Sequence, residues 1–78
     1  MTHVIRIKAP TGRWAIMARE NKYSPWVQVE SISGEDNANW FLEKLDNDDE
    51  SRLSYIEDCA DVEWGDDAPS KGDLTDGR

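Results

Sequence analysis

Histidine, cysteine and positive charge are all scarce in this sequence. The single Cys59 cannot form an intramolecular disulfide, and the paired-cysteine spacing of structural zinc sites is missing. His3 is the only histidine and sits near the N-terminus, which leaves Ser-His or Cys-His catalysis little to work with. No apolar run approaches the roughly 20 residues of a transmembrane helix. The opening Met1-Thr2-His3-Val4-Ile5-Arg6 lacks the basic-then-apolar order of a signal peptide. Nine bases stand against seventeen acids, a net charge of −8, so direct nucleic-acid binding through clustered Lys and Arg is not expected. A cytoplasmic protein with no membrane association is the simplest expectation.

What is present argues for a folded chain. Its 78 residues include four Trp and are 37% hydrophobic, too much apolar surface for wholly disordered sequence. A chain of this length makes one domain and buries only about 60% of its unfolded surface, so a large enclosed active site is not expected. The charge is uneven: residues 1–34 hold five bases and two acids, residues 35–78 four bases and fifteen acids. An acidic half of this kind suits a basic partner surface.

The first part reads as a meander. His3 to Ala9 alternates, with Ile5 and Ile7 on one face and Val4, Arg6 and Lys8 on the other. Pro10-Thr11-Gly12 is a turn signal; Arg13 to Arg19 and Trp26 to Ile32 follow as strands, joined through Asn21-Lys22-Tyr23-Ser24-Pro25. At Ser33 the period changes. Ser33-Gly34-Glu35-Asp36 matches a capping box, and Ala38, Phe41, Leu42 and Leu45 make the stripe of an amphipathic helix. Asp46-Asn47-Asp48-Asp49 breaks that helix and can cap a second, in which Leu53, Ile56 and Ala60 continue the apolar spacing. Val62 and Trp64 alternate with Glu63, as a last short strand or an irregular segment.

The expected architecture is α+β: a three-stranded antiparallel meander followed by two short helices on one face. Residues 1–64 make the compact domain, and 65–78 a disordered, mobile acidic tail with too few apolar side chains to offset ordering. The expected core is Ile5, Ile7, Trp14, Ile16, Val27, Val29, Phe41, Leu42, Leu45, Leu53 and Ile56. That core is small, and self-association as a homodimer would add to it.

The acids carry the functional reading. Asp46, Asp48, Asp49, Glu50, Glu57, Asp58, Asp61 and Glu63 crowd a short stretch whose bases are few. Like charges at helical spacing cost roughly a few tenths of a kcal/mol per pair, which a small fold can ill spare, so a use is implied. One reading is plain solubility. The other is a carboxylate array standing in for phosphates, since adjacent helical turns set side chains about 5–6 Å apart and duplex DNA carries one charge per ~1.7 Å of axis. The stretch from Asp46 to Glu57 also resembles an EF-hand calcium loop, with Asp46, Asp48, Glu50 and Glu57 at ligand positions, although Ser51 replaces the turn glycine. Trp40 and Tyr55 lie off the apolar stripes and suit an interface, the alternative being an adaptor that binds through Trp40 or Trp64. Arg6, Lys8, Arg13, Arg19 and Lys22 read as a solvated outer face of the sheet, or as partners for the helical acids. Nothing suggests a cleft that would shift a carboxyl pair for acid–base work, so no enzymatic activity is expected. Cys59, beside Asp58 and Asp61, reads as a small core residue with a raised thiol pKa.

A short acidic chain with a meander, a capping box and helices loaded with Asp and Glu resembles the small inhibitors that phages encode against host defence. It is most similar to the anti-CRISPR proteins, some of which are DNA mimics, over roughly residues 3–64. The resemblance rests on size, charge layout and architecture. It implies a protein that blocks DNA access without chemistry or cofactor, by occupying a Lys/Arg-rich surface of a CRISPR effector or similar complex in the host bacterium. No residue role is carried over, so the expected contacts remain the eight acids above with Trp40.

Overall fold

The computed structural model describes residues 3–69. Three strands, β1 (Val4–Lys8), β2 (Trp14–Ala18) and β3 (Val27–Ile32), form an antiparallel sheet in the order β1-β2-β3. Two helices follow, α1 (Glu35–Asp46) and α2 (Asp49–Cys59), and then a single 3-10 turn at Gly65–Asp67. This is the α+β meander with two helices that the sequence pattern predicts. The β1–β2 connection closes through Gly12 N–H to Ala9 C=O and Ala9 N–H to Arg13 C=O, both 2.9 Å. Gly12 takes φ 90° there, a conformation that a side chain resists.

In the register Val4 faces Ala18, Arg6 faces Ile16 and Lys8 faces Trp14, so these residues share one face of the sheet. Both helices cover that face, and Val4, Ile16, Ala18 and Val29 meet Ala38, Leu45 and Ile56 in the core. The face expected of β1 is therefore reversed. Val4 is fully buried, while Ile5 and Ile7 are half-buried on the opposite side. Arg6 makes the reversal tolerable by lying over Trp14, 4.9 Å from the ring centroid, and pairing with Glu35 at 2.7 Å. Lys8, itself exposed, joins it 5.2 Å from the same ring, so both bases lie on the helix-covered side of the sheet rather than on its outer face. Leu53 also departs from expectation, being exposed.

β3 carries a bulge. Gln28 opposes Met17 and Glu30 opposes Ile16, which leaves Val29 as the extra residue. The Val29 carbonyl accepts from the Cys59 thiol at 3.6 Å. Ser31 N–H donates to the Glu30 carboxylate at 3.0 Å, and its carbonyl accepts from Arg13 at 2.7 Å.

The capping box does not form. Gly34, at φ 92°, is the N-cap of α1 and has no side-chain bond, because the chain uses the glycine to turn from strand to helix. Ser33 instead offers its carbonyl to Asn37 Nδ2 at 3.2 Å. The second cap does form: Asp48 caps α2 by accepting from Ser51 N–H at 3.1 Å and Ser51 Oγ at 2.9 Å.

After α2 the chain is irregular rather than a strand, and it crosses to the far face of the sheet. Asp67 is fixed there, its carbonyl accepting from Gln28 Nε2 at 3.1 Å and its carboxylate from Thr11 Oγ1 at 3.0 Å. The expected tail of 65–78 thus begins with a placed turn, and its remainder, 70–78, lies outside the described residues.

The inward stripe of α2 contains Arg52 in place of Leu53, and Arg52 is only 4% exposed. Its Nε donates to Arg19 C=O at 3.0 Å and its Nη2 to Glu20 C=O at 3.1 Å, while Nη1 meets Asp49 one turn back. Hydrogen bonds involving a charged group contribute about 1.5–3 kcal/mol each. Arg52→Leu should therefore lower unfolding free energy by about 2 kcal/mol or more in urea denaturation, even though leucine matches the apolar environment. An unchanged midpoint would show that water replaces these bonds at no cost.

Candidate functional site: an acidic helical face

The two helices sort their residues by spacing. In α2, positions 52, 56 and 59 turn inward, so Glu50, Leu53, Ser54, Glu57 and Asp58 face away from the core and are exposed. Glu50 and Glu57, seven residues apart, lie two turns along the helix, about 10 Å at 1.5 Å per residue. Asp61 and Glu63 follow in the irregular segment, also exposed. Five of the eight predicted acids are thus exposed on α2 or just beyond its end: Glu50, Glu57, Asp58, Asp61 and Glu63.

The other three have structural employment. Asp46 is half-buried and its Oδ1 accepts from His3 N–H at 3.1 Å. Asp48 is the cap of α2, and Asp49 is the ion-pair partner of Arg52. The junction carboxylates therefore hold the helices in place. This arrangement also removes the EF-hand reading. Residues from Asp49 onward are helical where a calcium loop must curl around its ion, and no described group of three or more His, Cys, Asp or Glu is placed to hold a metal.

The bases among the described residues are engaged elsewhere. Arg19 sits 4.4 Å from the Trp26 ring centroid, Lys22 5.1 Å from that of Tyr23 and Lys44 5.0 Å from that of Trp40. Arg13 reaches Ser31 and Asp67, and Arg52 is buried. Only Glu35, Asp49 and Asp67 of the described acids take part in ion pairs. The described cations are spent largely on aromatic rings and backbone, so Glu50, Glu57 and Asp58 of α2 meet no ion-pair partner among the described residues.

Trp40 is 63% exposed on α1, with Lys44 over its ring. Tyr55 instead closes the gap between the helices, its ring edge-on to Phe41 at 5.6 Å. Trp64 is half-buried, with a buried indole N–H that has no partner. Cys59 is half-buried as expected of a packing residue. Burial pushes its thiol pKa up, and the Asp58 and Glu30 carboxylates add to the rise.

Sequence reasoning missed two residues. Arg52 is one of the few bases of the acidic stretch, yet it is buried. Glu20 is one of the two acids of the basic half, yet it lines a groove with Leu53, Ile56, Glu57 and Ala60 of α2 and its end. An inward helical position occupied by arginine was the available signal for the first; nothing local marks the second.

No family model, curated protein or solved structure matches the chain. No helix among the described residues is long and apolar enough to cross a membrane.

The Ser51 amide, and after it the Ser51 hydroxyl, hold the Asp48 carboxyl below its ordinary value. A group depressed in the folded state stabilises fully above its unfolded pKa, about 3.9 for Asp, and this contribution is lost as pH falls through the folded value. Asp48→Asn keeps a capping oxygen but cannot titrate. The melting temperature of the parent should therefore fall more steeply than that of Asp48→Asn between pH 4 and pH 2; parallel curves would contradict the assignment.

Proposed function

We propose that the protein is a non-enzymatic inhibitor that occupies a basic, nucleic-acid-binding surface of a host-defence complex with the outward carboxylates of α2 and the segment after it. A CRISPR effector is the partner that the resemblance implies. The observation that carries the reading is the last turn of α2, which contains Glu57 and Asp58 and no base. Carboxylates at a helix C-terminus oppose the macrodipole, at about 0.3–1 kcal/mol each where exposed and at low salt. Asp61 and Glu63 add to the same end. A small domain that keeps this cost has its acids placed for something other than its own stability.

Trp40, exposed on the neighbouring helix, favours an aromatic contact as a second, salt-insensitive mode of binding.

Capture of partners from bacterial lysate by the tagged protein, at low and high salt with mass-spectrometric readout, distinguishes the two. A nucleic-acid-binding complex retained at low salt and released at high salt is the expected result. The triple variant Asp58→Asn, Asp61→Asn, Glu63→Gln should bind that complex at least tenfold more weakly while melting about 2–4 °C higher, as relief of the dipole mismatch and mutual repulsion requires. Full affinity in the triple variant would overturn the proposal, and salt-independent binding lost in Trp40→Ala would transfer the role to the aromatic surface.

A further inference from the structure

A groove of about 460 Å³ runs beside α2, bounded by Glu20 on the β2–β3 connection and by Leu53, Ile56, Glu57 and Ala60 on the helix and its end. Its composition is unusual for a seam between packed elements. Leu53 is 42% exposed, giving the groove an apolar side chain that the core does not cover. The carboxylates of Glu20 and Glu57 stand on different elements, and neither makes a hydrogen bond or ion pair among the described residues. Arg52 ties the two elements that line the groove together by donating to the backbone carbonyls of Arg19 and Glu20. The charge of Arg52 is itself matched by Asp49, so it does not cancel the two carboxylates.

We infer that this groove is the socket for an arginine side chain of the basic protein partner. The inference rests on the function proposed above and identifies the chemistry of one anchoring contact. An arginine has the two parts that the groove asks for. Its three-carbon stem lies along apolar surface, here Leu53, Ile56 and Ala60, while the guanidinium stays at the polar end. That planar group carries five donors in a rigid fork, which lets it serve carboxylates on two sides at once. Glu20 and Glu57 supply acceptors from two different elements that line the groove. A phosphate or an acidic peptide would meet two like charges, and a purely apolar side chain would leave both carboxylates facing a dry contact.

The test is a titration of the full ¹⁵N-labelled chain with nona-arginine peptide at low ionic strength. Chemical-shift changes should be largest at Glu20, Leu53, Ile56, Glu57 and Ala60. Glu20→Gln and Leu53→Ala should each weaken binding about two- to fivefold, the range of an exposed charged contact. Glu43→Gln, which removes the same charge from α1, should have less than half that effect. All three positions are exposed, so the fold is retained, and the spectra of the variants verify it. If Glu20→Gln and Leu53→Ala bind as the parent does, with shifts spread over Glu50, Asp58 and Asp61, the socket is wrong while the carboxylate face stands. Absence of any shift even at low salt overturns both.

Discussion

The guanidinium of Arg52 is the constraint on which the arrangement of this small domain depends. It is the one charged side chain taken fully into the described structure, and it joins the middle of α2 to the backbone that leaves β2. A buried cation must be paired and hydrogen-bonded or it destabilises the fold by several kcal/mol, as a rough measure. Asp49 and the two carbonyls meet that requirement only in one rotation of α2 about its axis. That rotation sends Ile56 and Cys59 toward the sheet and leaves Leu53, Glu57 and Asp58 outside. The acidic face is thus the complement of an internal requirement.

The sheet poses a second problem, because three strands have two faces and the described residues form only two α-helices. The helices take the face of Val4, Ile16 and Val29. The opposite face, with Ala15 and Met17 both buried, receives the segment from Trp64 to Pro69, held by Gln28, Thr11 and Arg13 through Asp67. Ordering such a polar segment costs about 1–2 kcal/mol per residue in backbone entropy. Burial of Met17 and the three contacts of Asp67 offset part of it, which is why the turn at Gly65–Asp67 is placed despite a composition that reads as tail.

Much of the fold was legible in sequence because it depends on local signals. Pro10-Thr11-Gly12, the alternation of β2 and the stripe from Ala38 to Leu45 each act within a few residues, and each forms the expected element. Asp48 was legible as a cap for the same reason. The face of β1 was not, since Val4 and Ile5 are equally apolar and the choice is made by Trp14 of β2 and by Glu35 and Asn39 of α1, which together hold Arg6. The candidate site divides along the same line. Exposure of Glu50, Glu57 and Asp58 follows from helical period, whereas the duties of Asp46 and Asp49 arise from tertiary contacts. Glu20 and Glu57 come to line one groove through tertiary contacts such as the bonds from Arg52 to the Arg19 and Glu20 carbonyls.

The occupied backbone of β3 has a consequence for how the molecule meets others. Val29 and Ser31 have given their carbonyls to Cys59 and Arg13, and the Ser31 amide has gone to Glu30. An incoming strand seeking to extend the sheet along that margin finds these positions already taken and the bulge twisting the rest out of line. Recruitment by strand addition is blocked along β3, and contacts on that side are left to side chains, whose strength salt and substitution can tune, instead of to an open-ended ladder of main-chain bonds.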